Sequence, residues 1–79
     1  MKVNVKYLGN IAEHLEMEYE YIELPVGSTY SKFIEILNAM YPTLQGFVYK
    51  VAINLKVVDI DIELKDDDEI AILPPYSGG

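Results

Sequence analysis

The sequence ends in Leu73-Pro74-Pro75-Tyr76-Ser77-Gly78-Gly79, an uncharged run whose last two residues have no side chain. Its reactive feature is the α-carboxylate of Gly79. Glycine backbone passes through channels too narrow for a Cβ, and Pro74-Pro75 keeps the root of the run extended by fixing φ. The stretch from Pro74 to Gly79 spans roughly 20 Å at about 3.3–3.6 Å per residue. That length reaches from a docked domain into a partner's active site. The missing charges spare the cost of burying an unpaired ion there. The expectation is a terminus that another protein modifies covalently. Gly79 is then the reacting residue, and Gly78, Ser77, Tyr76, Pro75 and Pro74 form the inserted segment.

The rest of the chain offers little chemistry. There is no cysteine, hence no disulfide framework, thiolate metal site or thiol nucleophile. His14 is the single histidine and reads as a surface residue. Asp66-Asp67-Asp68-Glu69 lacks the ligand-and-glycine spacing of a calcium loop and reads as a solvated turn, so no metal site is expected. No Ser/His/Asp set or phosphate-cradling glycine loop is present, so the chain is not expected to be an enzyme on its own.

Charge narrows the partners. The formal charge is −7, and all six basic residues are lysines. Phosphate backbones repel such a chain, and bidentate guanidinium forks are lacking, which argues against nucleic acid and favours a basic protein surface. No apolar run approaches a membrane span, and Met1-Lys2 leads straight into a strand pattern. The expected location is therefore cytoplasmic, with no signal peptide.

The tail needs a scaffold to present it, and 79 residues with 51% hydrophobic content build one small core. Val3, Val5 and Tyr7 alternate with Lys2, Asn4 and Lys6, the period of a half-buried strand. Gly9-Asn10 breaks it, and Ile11 to Leu15 forms about one helical turn. Residues 18–24 read as a second strand closed by Pro25 and Gly27, antiparallel to the first. Thr29 is an N-cap candidate for a helix whose apolar stripe is Tyr30, Phe33, Ile34, Leu37 and Met40 or Tyr41, stopped by Pro42. Val48 to Ile53 reads as a third strand, Asn54-Leu55-Lys56 as a turn, Val57-Val58 as a short return strand, and Glu69 to Leu73 as the last strand.

This order predicts an α+β domain over residues 1–73, a mixed sheet of four to five strands covered on one face by one main helix. Residues 74–79 are then a flexible tail. Alternation places Val3, Val5, Tyr7, Val51, Ile53, Ile70 and Ile72 toward the helix. Lys6, Leu8, Lys50, Ala52, Ala71 and Leu73 fall on the open face, a candidate docking patch beside the tail's root.

The segment Asp-Glu-Ile-Ala-Ile-Leu-Pro-Pro-Tyr-Ser-Gly-Gly at 68–79, with Val-Ala-Ile-Asn at 51–54 and the strand-turn-helix stretch at 23–37, resembles the ubiquitin-like sulfur carriers of the MoaD/ThiS group. The likeness covers essentially the whole length. The double proline points to the branch of the molybdopterin synthase small subunit. Asp67 stands where the family commonly has glycine; aspartate tolerates the positive φ such a turn needs better than most residues.

The resemblance implies a β-grasp fold with the first and last strands parallel at the sheet centre. It implies an E1-like adenylyltransferase that uses ATP on Gly79, a persulfide sulfur donor, and the large subunit of molybdopterin synthase as partners, with no cofactor bound to the chain itself. Gly79 would carry a thiocarboxylate that donates sulfur in molybdenum cofactor synthesis. A chain without thiols cannot trap that sulfur in a disulfide of its own. Other readings are a carrier for tRNA thiolation, cysteine or thiamin synthesis, a ubiquitin-like modifier forming isopeptide bonds through Gly79, and an interaction domain with a silent tail.

Overall fold

Alternating apolar residues and short turns fold this chain into a five-stranded sheet backed by one long helix. The computed structural model describes residues 1–75. The strands are β1 (Lys2–Tyr7), β2 (Tyr19–Glu23), β3 (Lys50–Ile53), β4 (Lys56–Val57) and β5 (Glu69–Leu73). The helices are α1 (Gly9–Leu15) and α2 (Tyr30–Met40), followed by a 3-10 helix at Pro42–Gly46. The sheet order is β2-β1-β5-β3-β4. β1 and β5 are parallel, and the other pairs are antiparallel. The fold is the expected β-grasp.

The strand residues assigned to the helix side from alternation are all buried: Val3, Val5, Tyr7, Val51, Ile53, Ile70 and Ile72. Against them α2 lays Phe33 and Leu37, both fully buried, with Tyr30 and Ile34 at the margin. Thr29 caps α2 as expected, its hydroxyl accepting from the Lys32 amide at 3.4 Å. The helix stops at Tyr41, whose backbone leaves the helical region before Pro42. Met40 is exposed and Tyr41 packs on the core, so of the two candidates Tyr41 completes the stripe.

Three strands have other bounds than the sequence reading gave: β2 is Tyr19–Glu23 instead of 18–24, and β3 and β4 differ for local reasons. β3 begins at Lys50 instead of Val48. Its partner β5 ends at Leu73, opposite Lys50, and Pro74 has no N–H with which to extend the ladder. β4 is Lys56–Val57 instead of Val57-Val58 because the turn has two residues, Asn54 and Leu55, which brings Lys56 opposite Ile53. Both turn residues have positive φ, 50° and 74°, the pattern of the tight turns that match strand twist. Asparagine tolerates this region. Leu55, fully exposed, does so at a cost of about 1–2 kcal/mol.

The acidic run is a clasp of backbone hydrogen bonds. The Lys2 amide donates to Asp66 Oδ1 at 2.9 Å, and the Asp67 amide donates to the Lys2 carbonyl at 2.8 Å. Asp68 accepts from the Lys65 amide at 2.8 Å and from the Asn54 side chain at 2.9 Å. Asp67 has φ 68°, the left-handed conformation expected where the family commonly has glycine. This clasp fixes the start of β5 beside β1.

A polar junction that pattern reading missed joins β1, β2 and the end of α2. Tyr7 and Tyr41 both donate to Glu20 Oε2, at 2.5 and 2.6 Å, and their rings meet edge to face at 6.2 Å. Burial, reinforced by the Glu20 carboxylate, raises the Tyr7 hydroxyl well above the usual phenol range and pushes Tyr41 up to about 12. An unfolded tyrosine titrates near pH 10. Above that pH the unfolded chain loses phenolic protons that the folded chain keeps, so stability falls as pH rises. Urea titrations should therefore show full stability below about pH 10 and a decline from 10 toward 12. Tyr7→Phe should make that decline shallower; an unchanged slope would remove Tyr7 from the linkage.

Candidate functional site

The root of the tail emerges from the middle of the sheet. β5 is hydrogen-bonded to β1 on one side and β3 on the other, so its alternate side chains Glu69, Ala71 and Leu73 stand at the centre of the open face. The register brings the six predicted patch residues together. Lys6, Ala71 and Ala52 form one row across β1, β5 and β3, and Lys50 lies opposite Leu73. Leu8 follows β1 on the same side, its amide donating to the Ile72 carbonyl at 3.0 Å. Leu8 is 40% exposed, Lys6 and Lys50 are exposed, and Ala52, Ala71 and Leu73 are half-buried. An apolar centre rimmed by two lysines therefore adjoins the tail. Between Lys6, Tyr19, Leu55 and Glu69 the two alanines floor a depression of about 80 Å³.

The face extends further than the sequence reading placed it. Tyr19 and Tyr21, outside the six patch residues assigned from alternation, pair with Lys6 and Asn4 and share their side of the sheet. Their rings meet at 5.3 Å, and the Lys2 ammonium lies 4.3 Å from the Tyr21 ring centre. The signal was available in their spacing, since residues 19 and 21 share one strand face. Lys2, Lys6 and Lys50, half of the chain's lysines, occupy this face against Glu23 and Glu69. Most of the negative charge thus lies elsewhere. The expectation of a basic partner surface fits the remainder of the molecule and not this face.

At the tail's root Pro74 and Pro75 are half-buried. Pro74 lies over Gly9, where an added Cβ would fall 2.8 Å from the Pro74 Cγ. Tyr76, Ser77, Gly78 and Gly79, the residue expected to react, lie outside the described residues.

His14 is tied up locally, with Nε2 2.7 Å from the Thr43 hydroxyl and its ring 4.8 Å from that of Phe47. Among the described residues, no group of three or more His, Cys, Asp or Glu side chains is arranged to hold a metal. No described helix is long and apolar enough to cross a membrane. What the arrangement offers is presentation: an apolar face and a stiffened tail root on one side of a rigid sheet.

The family model described as ThiS family matches residues 5–79. A molybdopterin synthase sulfur carrier subunit from Dictyostelium discoideum is 39% identical over 76 residues, spanning 90% of this chain and 88% of its own. Among solved structures, a putative molybdopterin converting factor subunit 1 from Pyrococcus furiosus superposes with a TM-score of 0.88 at 29% identity, covering 96% of this chain and 99% of that one. A chain from the protein–protein complex of subunits 1 and 2 of the Helicobacter pylori molybdopterin-converting factor superposes with a TM-score of 0.75 at 29% identity, covering all of both chains.

If the open face is for contact and not for folding, its two sides should respond differently to substitution. Ile72→Ala, on the fully buried side of β5, should cost about 2–5 kcal/mol in urea unfolding. Ala71→Asp and Leu73→Asp, one residue away on the open side, should each cost about 1 kcal/mol or less. Equal losses on both sides would make the open face a second core.

Proposed function

The chain belongs to the ThiS family, and from that premise we propose that it is a cytoplasmic sulfur carrier, the small subunit of a molybdopterin synthase. The observation that carries this reading is the place of β5. The strand that feeds the tail is also the centre of the open face. A partner that covers Leu8, Ala52, Ala71 and Leu73 therefore receives the tail root, Pro74-Pro75, in a fixed position. The Helicobacter pylori complex of subunits 1 and 2 supports a large subunit as that partner.

The terminus supplies the chemistry. A carboxylate resists nucleophiles, so it must first be activated. In the proposed route an E1-like adenylyltransferase binds ATP, and the Gly79 carboxylate attacks the α-phosphate, releasing pyrophosphate and forming an acyl-adenylate. A persulfide sulfur then attacks the acyl carbon, and AMP leaves with the bonding pair. A thiol on another protein cleaves the resulting S–S bond, becomes part of a disulfide, and leaves a thiocarboxylate on Gly79. This chain has no cysteine, so both the persulfide and the resolving thiol come from partners. In the synthase the tail enters the large subunit, and the thiocarboxylate gives its sulfur to the pterin precursor of the molybdenum cofactor.

The chain's own residues bind and orient. Leu73 and the prolines anchor the mouth of the channel by apolar burial. Lys6 and Lys50 rim the contact and set its orientation. Gly78 and Gly79 leave room for the nucleotide beside the carboxylate.

Mass spectrometry of protein from its native cell tests this directly. Replacement of one carboxylate oxygen by sulfur adds about 16 Da at Gly79. Deleting Gly79 should abolish that gain without lowering the melting temperature. Gly-Gly remnants on lysines of other proteins, with no mass gain on the free chain, would instead mark a protein modifier. Leu73→Asp should weaken large-subunit binding at least about tenfold, equivalent to about 1.4 kcal/mol, because it buries an unpaired charge. Unchanged affinity in a titration would remove Leu73 from the interface.

A further inference from the structure

We infer that Gly9 is a positioning residue for the tail: its bare Cα seats the Pro74 ring, and that seat sets the direction in which the chain leaves the sheet. The inference rests on the sulfur-carrier reading for its consequence and on local geometry for its substance.

The last backbone hydrogen bond between β5 and the β1 side is the one from the Leu8 amide to the Ile72 carbonyl, at 3.0 Å. Leu73 remains paired with Lys50, and Pro74 has no N–H to continue either ladder. At Pro74 the path of the chain is set by what the ring touches. Pro74 touches Gly9. A Cβ built there would lie 2.8 Å from Pro74 Cγ and 3.4 Å from Cδ. The first distance is shorter than carbon atoms tolerate, and a proline ring can move Cγ only by the small displacement of its pucker; any larger shift moves its own backbone.

The seat is rigid on its other side. The Leu8 carbonyl accepts from the Ile11 amide at 3.2 Å, and the fully buried Ile11 side chain anchors α1 in the core. A side chain at residue 9 would therefore move Pro74 and not the helix. Six residues can span at most roughly 20 Å, so a small rotation at Pro74 would displace the proposed reacting group by up to several ångströms.

Gly9 also has φ +57°, so a substitution there has two effects that must be separated. Asparagine adopts this backbone conformation more readily than other side chains but still places a Cβ against Pro74. Gly9→Asn thus tests space more than backbone strain. Pro74→Ala removes Cγ and Cδ, the atoms that collide.

The experiment is a cycle of wild type, Gly9→Asn, Pro74→Ala and the double variant. Each is charged by the activating enzyme with ATP and a persulfide donor, with the melting temperature and affinity for the activating enzyme measured alongside. Gly9→Asn should lower the charging kcat on the order of ten- to a hundredfold, with the KM for the carrier and the melting temperature little changed. In the Pro74→Ala background the same substitution should change kcat by no more than about twofold. An equal loss in both backgrounds, or no loss in either, overturns the inference.

NMR of the free chain reads the seat without the enzyme. A nuclear Overhauser contact between Gly9 Hα and the Pro74 ring protons should be present, and Gly9→Asn should shift Pro74 and Pro75 resonances strongly; a missing contact or unmoved resonances also overturn it. If the wild-type chain is never charged, the sulfur-carrier reading fails while the NMR result still decides whether the seat exists.

Discussion

A strand hydrogen-bonded on both edges cannot shift without breaking two ladders, and β5 is the central one of three such strands. It is parallel to β1 and antiparallel to β3; its start is held by the aspartate clasp at Lys2, and its inward side chains Ile70 and Ile72 are locked in the core. Both ladders stop where Pro74 removes the donor. The chain therefore passes from its most constrained segment to an unladdered one within a residue. That abrupt change suits the proposed role, because the sheet is fixed up to the point where the proposed inserted segment begins.

The sheet's two faces divide the work. The inward face is filled by branched and aromatic residues under α2 and supplies stability. The outward face carries alanines, a leucine at each side of the tail root, two tyrosines in edge-to-face contact, three lysines, and Glu23 and Glu69. Glu69 and Asn4, whose buried Oδ1 has no hydrogen-bond partner among the described residues, stand beside the start of β5, so a partner that covers the Leu73 end of the face leaves few polar groups unpaired. The bulk of the acidic charge lies away from this face, where it keeps the free protein soluble without opposing contact.

Much of this was legible in the amino acids. Period-two alternation located β1 and β5 and sorted their residues onto the correct faces, because one face of an antiparallel or mixed sheet must be dry. The Thr29 cap and the Pro42 stop bounded α2 through local backbone chemistry. The ending that begins at Asp68 pointed to the family. What escaped was set by contacts between distant segments. The start of β3 depends on Pro74, its neighbour only in space. The bond of Tyr7 and Tyr41 to Glu20 joins three elements that no short window contains. Gly9 read as a strand breaker, and its relation to Pro74 exists only once α1 is docked beside β5. The tyrosines at 19 and 21 were open to the same parity argument that sorted β1, since their place on the open face follows from their pairing with Lys6 and Asn4.

The alanines at 52 and 71 leave the middle of the proposed contact surface hollow. A carrier with methyl groups there cannot bring the protruding side chain of the joint; the bulk has to come from across it. Enlarging either methyl would demand a matching reduction on the opposite protein. Paired changes of that kind let separate lineages, or two carriers within one cell, become mutually incompatible while each keeps its own fold and the same reactive end.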